Sequence, residues 1–463
     1  MKLLHRERNI VLKRRYSFRI ALLFPSTYEA SISSLGYQIL YYYLNNFEDV
    51  FAERVVARDK ELLSIETGTP LKKFDVILAT AHYELDYIEL VRAILRAGIE
   101  PLSERRNSPP LIIGGPSITA WPYPMSRIAD AAFLGEFEAS GREFVNTLFS
   151  LDKYNKKPFI EELTSVKGFW HPSKEKKEIV RVRDLDSSFH PIAQIQSEDA
   201  EPVWGRSYMA EISRGCNWGC LFCLESAVSG VRRERSFSVL KNLIEKGVEA
   251  NDVDKVTFFS LSFFDTDLGE RILNLLIEMG LKGSVPSIRI ETLSDERAEL
   301  IKKIGQKTVA IAPETGKDDL RWKIGKRIDS QQIFNAVSYL AKHDLSVKLY
   351  YMFGLPGEKK EDLDNIVEQV KEIKKIIGSR NKIKVSANPF IPKPLTPLWK
   401  YEMLPLRELK ERANYLRSSL SQYAEVEIYE PRMARKQYEI NIKGVDADIM
   451  IIGEAMKNLE RDE

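Results

Sequence analysis

The only three cysteines of the 463-residue chain, Cys216, Cys220 and Cys223, fall within one short segment that reads RGCNWGCLFC. Their spacing is CxxxCxxC, directly after a predicted strand. Three thiolates from one loop can hold three corners of a four-iron, four-sulfur cube and leave the fourth iron free for the amino and carboxylate groups of a small molecule. A zinc site and three ordinary buried thiols are the alternatives. Zinc normally takes four protein ligands, and the chain offers no fourth cysteine and no histidine near the loop in sequence.

Strand-like and helix-like stretches alternate over residues 207–400 and must position this segment. Apolar runs predict strands near residues 208–213, 254–259, 286–291, 308–312, 346–352 and 383–387, with helices between them. Six such units make about three quarters of an eight-unit TIM-type barrel, whose reactive groups belong on the loops after the strands. The sequence therefore predicts a partial (β/α)6 barrel that carries the cysteines on one of those loops.

Residues 1–150 read as a separate α/β domain. Strands are predicted at residues 19–24, 74–79 and 111–113 and helices at residues 36–44 and 87–97. This is the pattern of a Rossmann-like, doubly wound parallel sheet, which binds ligands at the carboxyl ends of its strands. We expect residues 151–206, which include a lysine-rich stretch, to form a connector, and residues 401–463 to form a C-terminal helix and a small α/β appendage.

The bulk composition is that of an ordinary globular protein, with 44% hydrophobic and 29% charged residues and a formal net charge of +2. Such a charge gives no overall attraction to nucleic acid or to an anionic membrane. The sequence shows no membrane-spanning run and no signal-peptide core, so we expect a cytoplasmic protein. Three clustered cysteines exclude a disulfide framework and suit a reducing compartment.

The segment RGCNWGCLFC resembles the signature of radical S-adenosylmethionine enzymes, and the resemblance continues over residues 208–400. It implies a [4Fe-4S] cluster that binds S-adenosylmethionine and cleaves it reductively to a 5′-deoxyadenosyl radical. It also implies a one-electron reductant such as ferredoxin or flavodoxin. Phe222, the aromatic residue before the last cysteine, would lie near the adenine.

Further positions carry the resemblance after later strands. Ser260 and Ser262, in VTFFSLS, would contact the methionine amine, and Gly354, in YMFGLPGE, would let the backbone approach the adenine. Their other interpretation is that the serines simply end a strand and that the glycine forms a strand-to-helix turn.

Charged residues match the family's ribose and carboxylate contacts. Glu314, in IAPETG, would grip the ribose hydroxyls, and Lys326, twelve residues later, would meet the methionine carboxylate. Glu291, in RIET, is a second ribose candidate. A solvated charged turn is the alternative interpretation.

The first domain resembles the cobalamin-binding domain of one radical S-adenosylmethionine subgroup, on the segments FRIALLFPSTYEASISSLGYQILYYYLN, IIGGPSITAWPYP and ADAAFLGEFE. Gly114 and Gly115 would press against the corrin or its nucleotide tail, and Thr80 would reach that tail. A tight strand-to-helix turn is the alternative for the two glycines. The DxHxxG element is missing, so cobalamin would bind without a lower axial histidine, or the domain has lost it. His82 follows a strand, but a lone loop histidine is more often a surface or core residue.

The pairing of these domains favours a radical enzyme that activates a C–H bond, with C-methyl transfer from cobalamin as its reaction. A cobalamin-free radical enzyme with a vestigial first domain is an alternative. Methylthio transfer to RNA or protein would need a second cluster from three further cysteines, which the first domain lacks. A non-catalytic electron carrier or redox sensor would not need the apparent ribose and carboxylate contacts. The sequence gives no clear nucleic-acid signal and does not name the substrate.

Overall fold

The computed structural model describes residues 5–152, 154–174 and 176–462, without the side chains of residues 461 and 462. The chain divides into two compact units. The first comprises residues 1–206 together with 439–463, and the second comprises residues 207–438. Within the described residues, no helix is both long and apolar enough to cross a membrane.

The first unit contains a six-stranded sheet in the order β3-β2-β4-β5-β6-β7. The strands of this unit are β1 (Glu7–Arg8), β2 (Phe18–Phe24), β3 (Val50–Val56), β4 (Val76–Thr80), β5 (Leu111–Gly114), β6 (Ala131–Phe133), β7 (Phe169–Trp170) and β8 (Gln196–Ser197). Its helices before residue 206 are α1 (Tyr28–Ile32), α2 (Leu35–Asn45), α3 (Leu85–Arg96), α4 (Pro116–Ala120), α5 (Gly141–Thr147) and α6 (Lys157–Ser165). Strands β2 to β6 pair in parallel, and both faces of the sheet are covered by apolar cores. Burial on both faces explains why β2 and β4 read as continuous apolar runs.

Strand β3 was not predicted, because a charged pair interrupts its apolar run. Glu53 and Arg54 are both buried within it. Arg19 Nη2 lies 2.5 Å from Glu53 Oε1, and Arg54 Nε lies 2.6 Å from Glu66 Oε1. Partners from elsewhere in the chain make this burial tolerable, and a local pattern does not reveal them.

Residues 151–206, for which we expected a connector, lie by their contacts in the first unit. They contribute α6 and β7, and β7 pairs antiparallel with β6 at the edge of the main sheet. Strand β8 pairs antiparallel with β1. The charged stretch therefore interrupts the α/β rhythm without ending the unit; its residue 175 lies outside the described residues.

The second unit is built on parallel strands followed by helices. Its strands are β9 (Tyr208–Glu211), β10 (Ser213–Arg214), β11 (Arg233–Glu234), β12 (Lys255–Phe259), β13 (Lys282–Ser284), β14 (Thr308–Glu314), β15 (Ser346–Phe353), β16 (Ile383–Pro389) and β17 (Glu425–Ile428). Its helices up to residue 420 are α7 (Leu224–Ser229), α8 (Phe237–Asn251), α9 (Leu268–Glu278), α10 (Asp295–Lys303), α11 (Asp318–Lys323), α12 (Ser330–Lys342), α13 (Lys360–Ile377) and α14 (Leu406–Leu420). Seven of these strands form a three-stranded sheet, β13-β12-β9, and a four-stranded sheet, β14-β15-β16-β17, both parallel, while β10 and β11 pair antiparallel with each other. One large apolar core lies against them.

The third strand of this unit differs from the prediction for residues 286–291. The strand ends at Ser284, and Ile288 then makes a single parallel bridge to Ile311 of β14. A 3-10 helix, Ile290–Thr292, follows it. Pro286 explains the interruption, because proline cannot donate to a strand ladder.

Residues 401–463 do not form a separate appendage. Strand β17 extends the four-stranded sheet of the second unit. Helix α15 (Pro431–Lys443) spans the boundary between the units, and α16 (Ala447–Asp462) belongs to the first. There α16 packs on α3 and adds Ala447, Ile451 and Ala455 to an apolar core.

Candidate functional site

The cysteine segment is a loop between β10 and α7, and its first turn is held by the returning chain. Gly215 has a φ of +80°, and a Cβ there would lie 2.4 Å from the carbonyl oxygen of Val231, so only glycine fits. The backbone N–H of Cys216 donates to the carbonyl oxygen of Gly230 at 3.0 Å. The first cysteine is therefore fixed against residues 230 and 231, just before β11 pairs with β10.

The end of the loop is fixed by a helix start and by two neighbouring segments. Cys223 is the N-cap residue of α7, and its sulfur accepts from Ser226 N at 3.5 Å and from Ser226 Oγ at 3.3 Å. Leu221 N donates to the carbonyl oxygen of Ile324 at 2.9 Å, and Leu398 N donates to Leu221 O at 3.3 Å. These bonds hold the second half of the loop against the segments that follow β14 and β16.

Phe222 packs against a small apolar cluster. The buried members of this cluster are Leu320, Ile324, Leu355, Phe390 and Leu398. Phe390 follows β16 directly and Leu355 follows β15 after one residue, so the Phe222 side chain lies near the carboxyl ends of these strands.

All three cysteines are half-buried free thiols. Burial raises the pKa of Cys220, and the cations of Lys326 and Arg289 act in the opposite direction. Among the described residues, no three His, Cys, Asp or Glu side chains converge as ligands of a single metal ion. In a four-iron, four-sulfur cube each cysteine sulfur binds a different iron, so the ligands of such a cluster need not converge on one point.

Glu314 and Lys326 are buried and paired, with Glu314 Oε1 2.8 Å from Lys326 Nζ. Glu314 has a φ of +67° at the end of β14, where the register with β15 shifts. A non-glycine residue in this region is strained, and such strain is concentrated at functional sites. The structure thus brings together the two charged residues that the resemblance singled out.

The turn before Lys326 lies directly on the cysteine loop. Gly325 has a φ of +79°, and a Cβ there would lie 3.0 Å from Leu221 Cγ and 3.1 Å from Gly219 O. The backbone just before Lys326 therefore lies close against the loop, and this approach requires glycine at position 325.

Glu291 lies in the 3-10 helix after β13, beside an arginine that sequence reasoning missed. Arg289 Nη2 donates to Glu291 Oε1 at 2.5 Å, and Arg289 Nη1 lies 3.8 Å from Cys220 Sγ. The second carboxylate oxygen of Glu291 is buried without a hydrogen-bond partner among the described residues. Trp218, inside the cysteine motif, also contacts Arg289. The segment RIET shows that one residue separates Arg289 from Glu291 in sequence. It does not show that Arg289 contacts the cysteine loop.

Ser260 and Ser262 lie close to the start of the loop, with hydroxyls already bonded within the protein. Ser260 Oγ lies 2.7 Å from Ser213 Oγ, and Ser262 Oγ donates to Asp265 Oδ1 at 2.5 Å. Arg232 Nη1 bridges the same region by donating to Ser213 Oγ and to Ser262 O. These contacts tie the loop after β12 to β10, and the expected contact with a methionine amine stays a prediction.

Gly354 follows β15 with a φ of +83°, and its N–H donates to Glu358 Oε1 at 2.8 Å. A Cβ at this position would lie 3.1 Å from Leu409 Cδ2. Burial raises the pKa of Glu358, which also pairs with Arg412. Gly354 immediately precedes a member of the Phe222 cluster, and its turn is explained by these contacts.

In the first unit, Thr80, Gly114 and Gly115 meet at the carboxyl ends of β4 and β5, where Thr80 is the partner of Gly114. Gly115 has a φ of +115°, and a Cβ would lie 2.2 Å from Ala81 O, so the chain itself requires this glycine. A Cβ on Gly114 would make only an ordinary contact of 3.7 Å with Phe133. His82 is half exposed beside Asp86.

Two family models match the chain. One, described as Radical SAM proteins, N-terminal, matches residues 36–172, and the other, described as Radical SAM superfamily, matches residues 210–370. An uncharacterized protein from Methanocaldococcus jannaschii is 32% identical over 384 residues, which cover 81% of this chain and 78% of that protein. The chain therefore belongs to the radical S-adenosylmethionine superfamily, and it is a radical S-adenosylmethionine enzyme.

Two solved structures share its fold. The radical S-adenosylmethionine methyltransferase TsrM from Kitasatospora setae, with cobalamin and a [4Fe-4S] cluster bound, has a TM-score of 0.55 at 12% identity and covers 82% of this chain and 77% of its own. The cobalamin-dependent S-adenosylmethionine radical enzyme OxsB, with aqua-cobalamin and S-adenosylmethionine bound, has a TM-score of 0.55 at 14% identity. The match covers 76% of this chain and 52% of the OxsB chain. At these identities the likeness establishes the fold: α/β with a parallel-sheet core of the kind found in these enzymes.

A more distant relative is the ribosomal protein uS12 methylthiotransferase RimO from Clostridioides difficile. It is 24% identical over 238 residues, which cover 47% of this chain and 52% of that protein. The similarity thus concerns only about half of each chain.

Proposed function

We propose that Cys216, Cys220 and Cys223 hold a [4Fe-4S] cluster whose remaining iron binds S-adenosylmethionine. The observation that carries this proposal is the packing of the cysteine loop on Gly325, next to the buried pair of Glu314 and Lys326. When bound, the cluster supplies one electron to the sulfonium bond of S-adenosylmethionine, which yields methionine and a 5′-deoxyadenosyl radical.

The residues around the loop would then orient the nucleotide. Lys326 would bind the methionine carboxylate, because an ammonium in a dry site attracts that group strongly. Glu314 would accept from the ribose hydroxyls, with Glu291 as a second acceptor through the carboxylate oxygen that has no hydrogen-bond partner in the described part of the chain. Phe222 and Gly354 would border the adenine, and Ser260 or Ser262 the amine.

We assign the finer architecture on the same basis. The second unit forms a partial (β/α)6 barrel from β9, β12, the interrupted third strand, β14, β15 and β16, and the first unit is a Rossmann-like domain. The supporting facts are the parallel order of the strands and the bridge from Ile288 to Ile311 between the two sheets.

We further propose cobalamin-dependent methyl transfer as the reaction, with cobalamin bound at the carboxyl edge formed by Thr80, Gly114 and Gly115. A Cβ at Gly114 would meet Phe133 only at the ordinary contact distance of 3.7 Å, so the chain itself does not require this glycine, whereas the conformation of Gly115 serves the chain. Without the DxHxxG element, cobalamin would bind with no lower histidine ligand. Methylthio transfer is disfavoured, since the first unit has no cysteine for a second cluster. Free thiols and a low-potential reductant such as ferredoxin or flavodoxin suit a reducing cytosol.

Two measurements test these proposals. The full chain, reconstituted anaerobically and treated with S-adenosylmethionine and dithionite, is expected to release 5′-deoxyadenosine, and Cys216→Ala is expected to release none. Equal release by both proteins would refute the cluster assignment. Cobalt analysis and a visible spectrum of anaerobically purified protein test the second proposal. A chain that cleaves S-adenosylmethionine but neither retains nor binds added cobalamin would refute methyl transfer from cobalamin and favour the cobalamin-free alternative.

A further inference from the structure

Trp218, which lies between the first two cysteines, is held on two sides. Its indole N–H donates to Asp265 Oδ1 at 2.8 Å, and the guanidinium carbon of Arg289 lies 4.0 Å from its ring centroid. This separation is well within the range of a cation–π contact. Asp265 follows β12 and Arg289 follows β13, and these two strands are neighbours in the three-stranded sheet. The segments after two adjacent strands therefore hold the cysteine loop through one aromatic side chain.

Arg289 uses its other atoms to reach the sulfur of the second cysteine. Its Nη1 lies 3.8 Å from Cys220 Sγ, while its Nη2 is fixed by Glu291 at 2.5 Å. The side chain is only 11% exposed. A guanidinium presents several N–H donors in a rigid plane, so one face can stack on Trp218 while the edge meets both a carboxylate and a thiolate.

We propose that Arg289 is a positioning residue of the cluster site, which locks the cysteine loop through Trp218 and raises the reduction potential of the bound cluster through Cys220. This inference rests on the proposed function. Reduction brings one electron from the external one-electron reductant onto the cluster and makes it more negative. A fixed cation and hydrogen-bond donor at a ligand sulfur stabilises that form, which is the general way in which surrounding groups tune such potentials.

The position of Glu291 gives the inference a second, opposite test. Its carboxylate partly offsets the charge of Arg289 at the sulfur. Glu291→Gln keeps the size and an acceptor oxygen for Arg289 but removes the negative charge. The reduction potential is therefore expected to fall in Arg289→Gln and to rise in Glu291→Gln.

The experiment uses the full chain, reconstituted anaerobically with iron and sulfide and without S-adenosylmethionine. The reduced fraction is measured by electron paramagnetic resonance during a dithionite titration with redox mediators. At the wild-type midpoint, Arg289→Gln is expected to show about a tenfold lower ratio of reduced to oxidised cluster, which corresponds to a shift of about 59 mV for one electron. Arg289→Lys keeps the charge but not the planar guanidinium, so its midpoint potential is expected to lie between those of the wild type and Arg289→Gln.

Arg271→Gln is the matched control. Arg271 also stacks on an aromatic ring, Phe237 at 4.3 Å, and also pairs with a carboxylate, Asp267 at 3.8 Å, but it lies on α9 and contacts no cysteine. It is expected to keep the wild-type midpoint and iron content.

Arg289→Gln with full iron content and an unchanged midpoint would overturn the inference. If Arg289→Gln retains no cluster, Glu291→Gln decides, because a midpoint equal to or below that of the wild type would overturn it too. Failure of the wild-type protein to bind iron or to cleave S-adenosylmethionine would instead count against the proposed function.

Discussion

The Glu314 and Lys326 pair offers a sharp test of the site, because one substitution leaves a buried charge without its partner. The side chains are 11% and 6% exposed, and their charged atoms lie 2.8 Å apart. Removing one member of such a pair costs about 3–5 kcal/mol, since the remaining ion stays desolvated. For a unit of this size, 1 kcal/mol lowers Tm by about 2–4 °C. Lys326→Met is therefore expected to lower the Tm of the cluster-free chain by roughly 6–20 °C.

The control is a pair with the same separation on the surface. Lys303 Nζ lies 2.8 Å from Glu299 Oε1 on α10, and both side chains are about half exposed. Lys303→Met is expected to leave Tm almost unchanged, because water screens this pair. Differential scanning calorimetry of both variants measures the difference. Equal shifts for the two lysine variants would refute the reasoning.

A double variant separates stability from binding. Glu314→Gln with Lys326→Met removes both charges, and it is expected to recover most of the lost Tm. Its affinity for S-adenosylmethionine, measured on cluster-loaded protein by equilibrium dialysis, is expected to stay as low as that of the single variant. Recovery of wild-type affinity in the double variant would show that neither residue contacts the nucleotide.

Three other predictions concern the backbone and the thiols. Gly325→Ala is expected to lower the iron bound per chain after reconstitution, because the added Cβ would press on Leu221. The control is Gly357→Ala, at φ +78° with nothing within 4 Å of the added Cβ, which is expected to keep the iron content. Equal iron content in the two variants would contradict the prediction. Gly115→Ala is expected to lower Tm more than Gly68→Ala. The positive φ strains alanine at both positions by about 1–2 kcal/mol, but only the added Cβ at residue 115 meets a carbonyl oxygen, at 2.2 Å. Calorimetry of the two variants checks the order. In the cluster-free chain, burial raises the pKa of Cys220. Because iodoacetamide reacts with the thiolate, alkylation of Cys220 is expected to reach half its maximal rate at a higher pH than alkylation of free cysteine. Mass spectrometry of the Cys220 peptide across pH measures this midpoint, and a midpoint at or below that of free cysteine would contradict the prediction.

Local sequence pattern was enough for the strands that carry the site. Strands β2, β4, β14, β15 and β16 are uninterrupted apolar or alternating runs, and each is found where the periodicity indicates. The turns at Gly115 and Gly354, which have a positive φ, agree with the strand-to-helix turns given as the alternative interpretation of these glycines.

Local pattern failed where distant partners decide the structure. Strand β3 carries Glu53 and Arg54, whose burial depends on charged partners outside the strand, Arg19 and Glu66. Helix α16 packs on α3 although several hundred residues separate them, and its apolar stripe could equally have suited a terminal appendage. The third strand of the second unit was misplaced by a few residues because Pro286 ends the ladder that the apolar run suggests.

The cysteine site itself shows why a motif defines ligands but not a site. The spacing CxxxCxxC supplies three thiolates, yet the shape of the loop is set by contacts that the motif does not contain. Gly230 receives the N–H of Cys216, Ile324 receives that of Leu221, and Arg289 packs on Trp218. These contacts come from the turn after α7, the end of α11 and the segment after β13, so elements outside the motif decide whether the thiolates face a common point. Changes at Gly325 or Arg289, outside the motif, should therefore affect the cluster as directly as changes within it.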